Sequence, residues 1–188
     1  MPMANVASVL AHGILSYERA AKLPHISVAL QPVQDKRDQK QVPGGLRLHQ
    51  YANLYFHARN PMLYKRLGEV ESLCVLSISP EVLKLPGTAI SDQNAASDYV
   101  RFFHPSQSRF LDFDAIYAVD WRNVDRATYF RQKSCKCAEV LVPYMVEVKF
   151  VVGAYVVDSK AATKLQSLGF HLPVTINPVL FFRQVGGA

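Results

Sequence analysis

Short apolar segments of strand length, with no long helix between them, constrain the fold of this chain more than any other feature. In a doubly wound parallel sheet, long helices would alternate with the strands. The pattern therefore predicts an α+β fold with a split, mostly antiparallel mixed sheet and flanking helices. At 188 residues, the chain is expected to form one domain over 1–188, because domains usually contain about 100–200 residues. The expected strands cover 54–56, 73–78, 115–119, 139–142, 150–157 and 174–182.

Residues that cap or stop helices mark the ends of several short helices. Asn5, Asp92 and Ser159 have side chains that cap a helix N-terminus, whereas Gly13 and Gly169 stand where a helix would stop. Helices are therefore expected over 6–12, 61–67, 92–100 and 159–168, and irregular segments over the polar loop 31–47 and the basic linker 122–136.

Charge and cysteine usage indicate what kind of partner the protein has and in which compartment it is located. The net charge is +6, from 21 basic and 15 acidic residues, which weakly favours a polyanionic partner. The three cysteines, Cys74, Cys135 and Cys137, are too few for a disulfide scaffold and fit a reducing cytoplasm, where we expect the protein to be located. No second pair of ligands accompanies Cys135 and Cys137, so no metal site is expected. No apolar run is long enough for a membrane helix and no secretory signal is visible, so no membrane partner is expected.

Glu139 is the residue whose position most suggests chemistry. It stands between Ala138 and the apolar run 140–142, and a carboxylate inside an apolar strand is costly unless it is paired or faces a cleft. A glutamate so placed could hold a ribose hydroxyl, act as a base or stabilise developing positive charge. The alternative is an outward-facing side chain on a half-exposed strand, and the pattern alone leaves both open.

Basic and aromatic residues alternate in the segment 122–136, just before Glu139. Basic side chains contact phosphates while rings stack on bases, so this segment could hold a nucleic-acid strand, although a solvated basic loop has the same pattern. Arg59 follows an aromatic strand and could contact a phosphate, or could lie on a solvated turn. His49 and His57, on either side of that strand, are expected to be structural. The candidate nucleic-acid contacts are Arg122, Arg126, Tyr129, Arg131, Lys133 and Lys136.

Unusual polar residues are concentrated in four segments among the expected strands. These are Asn5-Val6-Ala7-Ser8-Val9-Leu10 with His12-Gly13-Ile14-Leu15; Leu48-His49-Gln50-Tyr51 with Leu54-Tyr55-Phe56 and Arg59-Asn60-Pro61-Met62-Leu63; Ser91-Asp92-Gln93-Asn94-Ala95-Ala96; and Ala138-Glu139-Val140-Leu141-Val142-Pro143. No single motif is decisive, but in this order and spacing the segments resemble the DarT family of DNA ADP-ribosyltransferases. The resemblance covers nearly the whole chain.

The resemblance implies a reaction, its substrates and its site. Members of this family transfer ADP-ribose from NAD, without a metal, onto thymine or guanine in single-stranded DNA, usually as the toxin of a toxin–antitoxin pair. The implied partners are therefore single-stranded DNA and a macrodomain antitoxin of the DarG type. Glu139 would be the catalytic glutamate, Arg59 would support NAD binding and catalysis, and the basic segment before Glu139 would present the DNA base. The residues expected to line the NAD site are Asn5, Gly13, Leu15, Tyr55 and Arg59.

The start of the chain differs from the family pattern and leaves other functions open. The family usually has a strand with a His-Ile-Thr-like motif just before the Asn of the first helix. Here Met1-Pro2-Met3-Ala4 precede Asn5, so we expect this N-terminal strand to be missing from the domain. One alternative is a catalytically weakened relative that binds single-stranded DNA. The other is an ADP-ribosyltransferase that acts on RNA or protein.

Overall fold

Short strands and short helices alternate along the chain in the computed structural model, which describes residues 1–184. The strands are β1 (Ile14–Leu15), β2 (Tyr51–Tyr55), β3 (Val75–Ile78), β4 (Ala89–Ser91), β5 (Phe102–Phe103), β6 (Glu139–Pro143), β7 (Met145–Val146), β8 (Val151–Val156) and β9 (Val174–Ile176). The helices are α1 (Val6–His12), α2 (Tyr17–Ala20), α3 (Gln31–Asp38), α4 (Pro61–Tyr64), α5 (Phe113–Tyr117), α6 (Arg126–Cys135) and α7 (Ser159–Ser167).

The described strands form separate sheets, as a split sheet requires. The four-stranded sheet has the order β2-β6-β4-β5, and its neighbouring strands are antiparallel. The three-stranded sheet β3-β8-β9 combines an antiparallel with a parallel pair, while β1 and β7 form a two-stranded antiparallel ribbon. The predicted α+β fold is therefore confirmed. In the four-stranded sheet, Glu139 at the start of β6 lies opposite Tyr55 at the end of β2.

Two large groups of buried apolar side chains pack against these sheets. One joins α1 and α7 to the three-stranded sheet and includes Val6 and Leu165. The other lies on the four-stranded sheet and includes Ile90 and Ile116. Ile78, at the end of β3, packs against both groups. The two halves of the fold are therefore in direct apolar contact.

Two segments that were expected to lack regular structure are helical. The loop expected over 31–47 contains α3, and the linker expected over 122–136 contains α6. Helix α6 begins after Asp125, whose carboxylate accepts a hydrogen bond from the Thr128 amide at 2.7 Å. Arg37 is the one fully buried residue of α3, and α6 has none. Such helices lack the apolar periodicity by which a helix is recognised in a sequence.

Other segments also differ from the expected elements. The strand expected over 115–119 was wrong, because Asp112 caps helix α5 there by accepting a hydrogen bond from the Ala115 amide at 2.9 Å. The helix expected over 92–100 was also wrong, and turns occupy this segment. The strand expected over 174–182 is confirmed only for β9, after which a 3-10 helix covers Pro178–Phe181.

Helices α1 and α7 lie where they were expected, but their N-caps differ. Asp158, rather than Ser159, caps α7, and the Asn5 side chain makes no capping bond to α1. The glycine that ends α1 is required at its position. Gly13 has a φ angle of 79°, and a Cβ atom there would lie 2.3 Å from the Val146 carbonyl oxygen.

Residues 1–184 contain neither a membrane-spanning helix nor a metal-binding cluster. No helix within them is long and apolar enough to cross a membrane. No cluster of His, Cys, Asp and Glu side chains within them is arranged to hold a metal ion. Cys74, Cys135 and Cys137 are all free thiols.

Candidate active site at Glu139

Glu139 occupies the first position of β6, an inner strand of the four-stranded sheet, and its side chain is completely buried. Its amide donates a hydrogen bond to Ser91 Oγ at 3.1 Å. The Ser91 hydroxyl in turn donates to the Gln93 carbonyl at 2.7 Å. The end of β4 therefore fixes the backbone of Glu139 by a side-chain contact, just where the regular pairing of the two strands stops.

Groups from two distant segments hold the Glu139 carboxylate. Arg37 Nη1 lies 3.1 Å from Oε1 and 3.0 Å from Oε2, and the Ala95 amide donates to Oε1 at 3.0 Å. An ionised carboxylate is stable in a protein interior only when it is paired and hydrogen-bonded. Of the two interpretations that the sequence left open for Glu139, the structure therefore supports the paired, inward-facing one.

Arg37 covers this carboxylate from helix α3. Its side chain is only 6% exposed, and its Nη2 atom has no hydrogen-bond partner among the described residues. A buried N–H group without an acceptor costs roughly 1–3 kcal/mol. Nη2 is therefore suited to donate to an oxygen of a bound ligand. Arg37 was not among the residues expected in the site, because an arginine within a run of charged residues gives no sign that its side chain is buried.

The turns after β4 explain how a backbone amide reaches the carboxylate. In a helix capped by Asp92, the Ala95 amide would bond to the cap. In the observed turns, the Asp92 carboxylate accepts a hydrogen bond from Arg101 Nε at 2.7 Å instead. The Ala95 amide is therefore free to donate to Glu139.

The titratable neighbours of Glu139 stay protonated. The pKa of Tyr55 is raised well above its ordinary value of 10, chiefly by burial and then by the negative charge of Glu139, while Arg37 acts in the opposite direction. Burial, with a further contribution from Glu139, raises the pKa of the Cys137 thiol to about 12. Both groups are neutral at neutral pH, so neither adds a negative charge beside the Glu139 carboxylate.

Arg59, the arginine expected in the NAD site, makes its contacts elsewhere. Its Nε atom donates to the Val119 carbonyl at 3.3 Å, and its Nη1 atom donates to the Val179 carbonyl. The guanidinium lies 4.1 Å from the centre of the Phe182 ring. These contacts join the turn after β2 to the C-terminal 3-10 helix. The arginine that touches Glu139 is Arg37, and a role of Arg59 in NAD binding and catalysis stays a prediction.

Other residues expected in the NAD site lie at the two ends of α1 and on β1. The Asn5 side chain exchanges two hydrogen bonds with the backbone of Ile26, at 2.8 and 2.9 Å. Leu15 pairs with Met145 in the two-stranded ribbon, and Gly13 is buried at the start of that ribbon. These contacts fix the backbone around α1. Contacts of the three residues with NAD stay a prediction.

Lys136, one of the expected DNA contacts, is buried, with 1% of the residue exposed. Its ammonium donates to the carbonyls of Ile116 and Ala118 at 2.9 and 2.6 Å, and lies 3.0 Å from His57 Nδ1. Burial, and then repulsion by Arg59, lowers the pKa of Lys136 to about 8. The expectation that Lys136 contacts DNA does not fit this burial. Instead, its hydrogen bonds link the end of α5 to the short segment between α6 and β6.

The remaining expected DNA contacts lie on or just before helix α6. Lys133 Nζ donates to the Tyr129 hydroxyl at 3.1 Å, and the Arg126 guanidinium lies 5.7 Å from the centre of the exposed Phe130 ring. Cations next to partly exposed rings can contact phosphates while the rings stack on bases. The expected contacts that are at least partly exposed are Arg122, Arg126, Tyr129, Arg131 and Lys133.

Comparison with known proteins places this chain in one class. The family model described as "ssDNA thymidine ADP-ribosyltransferase, DarT" matches residues 1–182. The match covers almost the entire chain, and the class it defines is that of the ADP-ribosyltransferases. More narrowly, the chain belongs to the DarT family.

Individual relatives agree with this assignment. A DNA ADP-ribosyl transferase–DNA ADP-ribosyl glycohydrolase fusion protein of Thermosipho africanus is 30% identical over 191 residues, covering 95% of this chain and 47% of the relative. A DNA ADP-ribosyl transferase of Thermus aquaticus is 30% identical over 184 residues, covering 92% of this chain and 79% of the relative. The chain thus spans about half the length of the fusion protein and most of the length of the other.

Solved structures share the fold. Thermosipho africanus DarTG in complex with ADP-ribose superposes with a TM-score of 0.83 at 28% identity, covering 97% of this chain and 50% of the other. Thermus sp. 2.9 DarT in complex with ADP-ribosylated ssDNA gives a TM-score of 0.83 at 22% identity, covering 96% of this chain and 92% of the other. At that identity, the second structure is evidence for the fold alone.

Proposed function

We propose that this protein transfers ADP-ribose from NAD to a base in single-stranded DNA. The observation that carries the proposal is the Glu139 carboxylate, buried and held between Arg37 and the Ala95 amide in a chain of the DarT family. Thymidine, the nucleoside in the description of the family model, is the first acceptor to test. A single strand is a favourable acceptor, because no base pair has to be opened at a cost of a few kcal/mol.

The proposed reaction replaces one bond to the ribose by another. The glycosidic bond from ribose C1′ to nicotinamide breaks, and nicotinamide leaves with the electron pair. A nitrogen of the DNA base forms the new bond to C1′ and gives its proton to a nearby basic group or to water. Positive charge develops on the ribose in between, and a preorganised carboxylate such as Glu139 stabilises it by a few kcal/mol. The same carboxylate can accept a hydrogen bond from a ribose hydroxyl.

Arg37 is the second residue that we assign to this site. It covers a carboxylate that is completely buried, so a ribose hydroxyl reaches Glu139 only after the Arg37 side chain has shifted. Its unpartnered Nη2 atom can then donate to an oxygen of NAD. Arg37 would thus exchange part of its contact with Glu139 for a contact with the substrate.

The test is incubation with NAD and a mixed-sequence single-stranded oligonucleotide, followed by mass spectrometry of the DNA and measurement of released nicotinamide. We expect a DNA product heavier by one ADP-ribose. Glu139→Gln keeps the shape of the side chain and removes its charge, and should lower the rate by about a hundredfold or more. Glu147→Gln is the matched control, because Glu147 is exposed and its one ion pair among residues 1–184 is with Lys149 at 2.9 Å.

The same experiment separates the other candidate functions. RNA and protein acceptors are supplied in parallel, and modification of one of them in place of DNA would contradict the DNA specificity. Binding of DNA without nicotinamide release would indicate a relative that has lost its chemistry. An unchanged rate in Glu139→Gln would remove Glu139 from the mechanism.

We further propose that a macrodomain antitoxin removes the modification. The Thermosipho africanus relative carries a DNA ADP-ribosyl glycohydrolase in the same polypeptide, so the two activities occur together in that protein. A macrodomain glycohydrolase added to the modified oligonucleotide should restore its original mass. A product that resists this treatment would argue against such a partner.

A further inference from the structure

Helix α3 brings Arg37 to Glu139 but has little apolar contact of its own. Its sequence, Gln-Pro-Val-Gln-Asp-Lys-Arg-Asp, contains a single large apolar side chain, Val33, which is only half-buried. The hydrophobic effect that holds most helices of globular proteins therefore contributes little to the position of α3. The position of the Arg37 guanidinium must depend on the polar contacts that α3 makes.

The main contact of this kind is His49. Its Nε2 atom lies 3.1 Å from Gln34 Oε1, and its Nδ1 atom lies 3.3 Å from Asp38 Oδ1. Gln34 and Asp38 are four residues apart, so they project from the same side of α3. One ring thus contacts two successive turns of the helix, on either side of Arg37 in the sequence.

His49 is itself held firmly. It is buried, with 8% of the residue exposed, and its ring stacks on the Tyr17 ring at a centroid distance of 4.4 Å and an angle of 26°. It lies in the 3-10 helix Leu48–Gln50, which continues directly into β2. Strand β2 pairs with β6, whose first residue is Glu139. His49 is therefore attached to the same pair of strands as the carboxylate.

We propose that His49 is a positioning residue for Arg37. By clasping Gln34 and Asp38, it fixes α3 against the β2–β6 strand pair and so sets the distance between the Arg37 guanidinium and the Glu139 carboxylate. This inference rests on the proposed function for its effect on the rate. The contacts of His49 with Gln34 and Asp38, however, are present in the free protein and can be tested without any reaction.

His49→Phe is the main test variant, since phenylalanine keeps a ring to stack on Tyr17 and removes both polar contacts. Asp38→Ala removes one contact from the helix side, and its side chain is 71% exposed, so no core packing is lost. Asp35→Asn is the matched control. Asp35 is an exposed acid on the same helix, and its contact is with Gln31 of that helix, at 2.7 Å.

Hydrogen exchange measured by mass spectrometry reports how firmly the His49 contacts hold α3. We expect the amides of 31–38 to exchange about tenfold faster in His49→Phe, since each lost hydrogen bond weakens the attachment of the helix several-fold. Asp38→Ala should give part of this effect, and Asp35→Asn none. Unchanged exchange in His49→Phe would overturn the proposal, whether or not the protein is an enzyme.

Enzyme kinetics tests how the loss of the His49 contacts affects the reaction rate. In His49→Phe, kcat for nicotinamide release should fall about tenfold or more, because misplacing a reacting group by about 1 Å can cost a hundredfold. The KM for NAD should change much less. In an Arg37→Lys background the same substitution should change kcat by less than about twofold, because its effect passes through the placement of Arg37. An equal loss of kcat in both backgrounds would overturn the role of His49 in placing Arg37, whereas inactivity of the wild-type protein would count against the proposed function alone.

Discussion

Arg37 and Lys136 are both buried cations, and their surroundings give them different roles. Arg37 faces a carboxylate, and its Nη2 atom has no hydrogen-bond partner within residues 1–184. Lys136 is surrounded by two carbonyl oxygens and the His57 ring, which use all three of its donors. A cation with an unused donor can bind a ligand, whereas a fully bonded one is part of the fold. Of these two residues, only Lys136 had been singled out in the sequence.

The His57–Lys136 contact predicts how stability depends on pH. Burial, and then the charge of Lys136, lowers the pKa of His57 to about 4 from its ordinary 6.5. Between these values the unfolded chain binds a proton that the folded chain does not, so stability falls as the pH drops from 6.5 towards 4. We expect a loss of about 1–2 kcal/mol after allowing for the partial exposure of the ring.

Urea unfolding at a series of pH values measures this loss. His57→Gln offers Lys136 an oxygen acceptor that does not titrate, and its stability should fall less over the same range. If the free energy of unfolding changes equally with pH in the wild-type protein and in His57→Gln, the acid sensitivity arises at other groups.

At the scale of single residues, the sequence singled out Glu139 as unusual but gave no sign of Arg37. A carboxylate flanked by apolar residues stands out in the sequence, because burying a charge costs free energy in any fold. The burial of Arg37 depends on a residue 102 positions away, and neither local composition nor spacing reports such a partner.

At the scale of elements, apolar strands were recognised and polar helices were not. Strands β3 and β8 lie within the expected segments, and β6 extends one residue beyond its own, because a buried strand is a run of apolar residues. Helices α3 and α6 have no apolar face to identify them. Asp112 and Asp125 are local signals for α5 and α6, because each caps one of these helices. Asp92 has the same side chain and caps no helix. Capping residues alone therefore do not locate helices.

Helix α6 carries the predicted DNA surface, which salt dependence can test. Each phosphate contact that is lost should reduce the slope of log K against log salt by about 0.7 for a single strand. Arg126→Ala with Arg131→Ala should therefore reduce the slope by about 1.4 and weaken binding of an oligonucleotide.

The control removes the same charge elsewhere. Lys160→Ala with Lys164→Ala, on α7, lowers the net charge equally and should leave the slope nearly unchanged. If both double variants change the slope alike, binding depends on overall charge and α6 is not the DNA surface.

At the scale of the whole molecule, the single-domain prediction for 1–188 can be tested by unfolding. The two main cores touch through Ile78, so neither half should unfold alone. Fluorescence of Trp121, the single tryptophan of the chain, should report the same urea midpoint as far-UV circular dichroism. Two separated midpoints would mean that the chain contains two independent folding units.

The Glu139 site joins residues that lie far apart along the chain: Arg37, Ser91, Ala95 and Glu139 itself. Strand β6 also completes the four-stranded sheet, because β2 and β4 both pair with it and not with each other. A ribosome that has synthesised only the first half of this protein has therefore made Arg37 and Ser91 but not the carboxylate that they surround. A polypeptide that ends before β6 lacks both Glu139 and the strand that joins β2 to β4, so the site can form only once β6 has been synthesised.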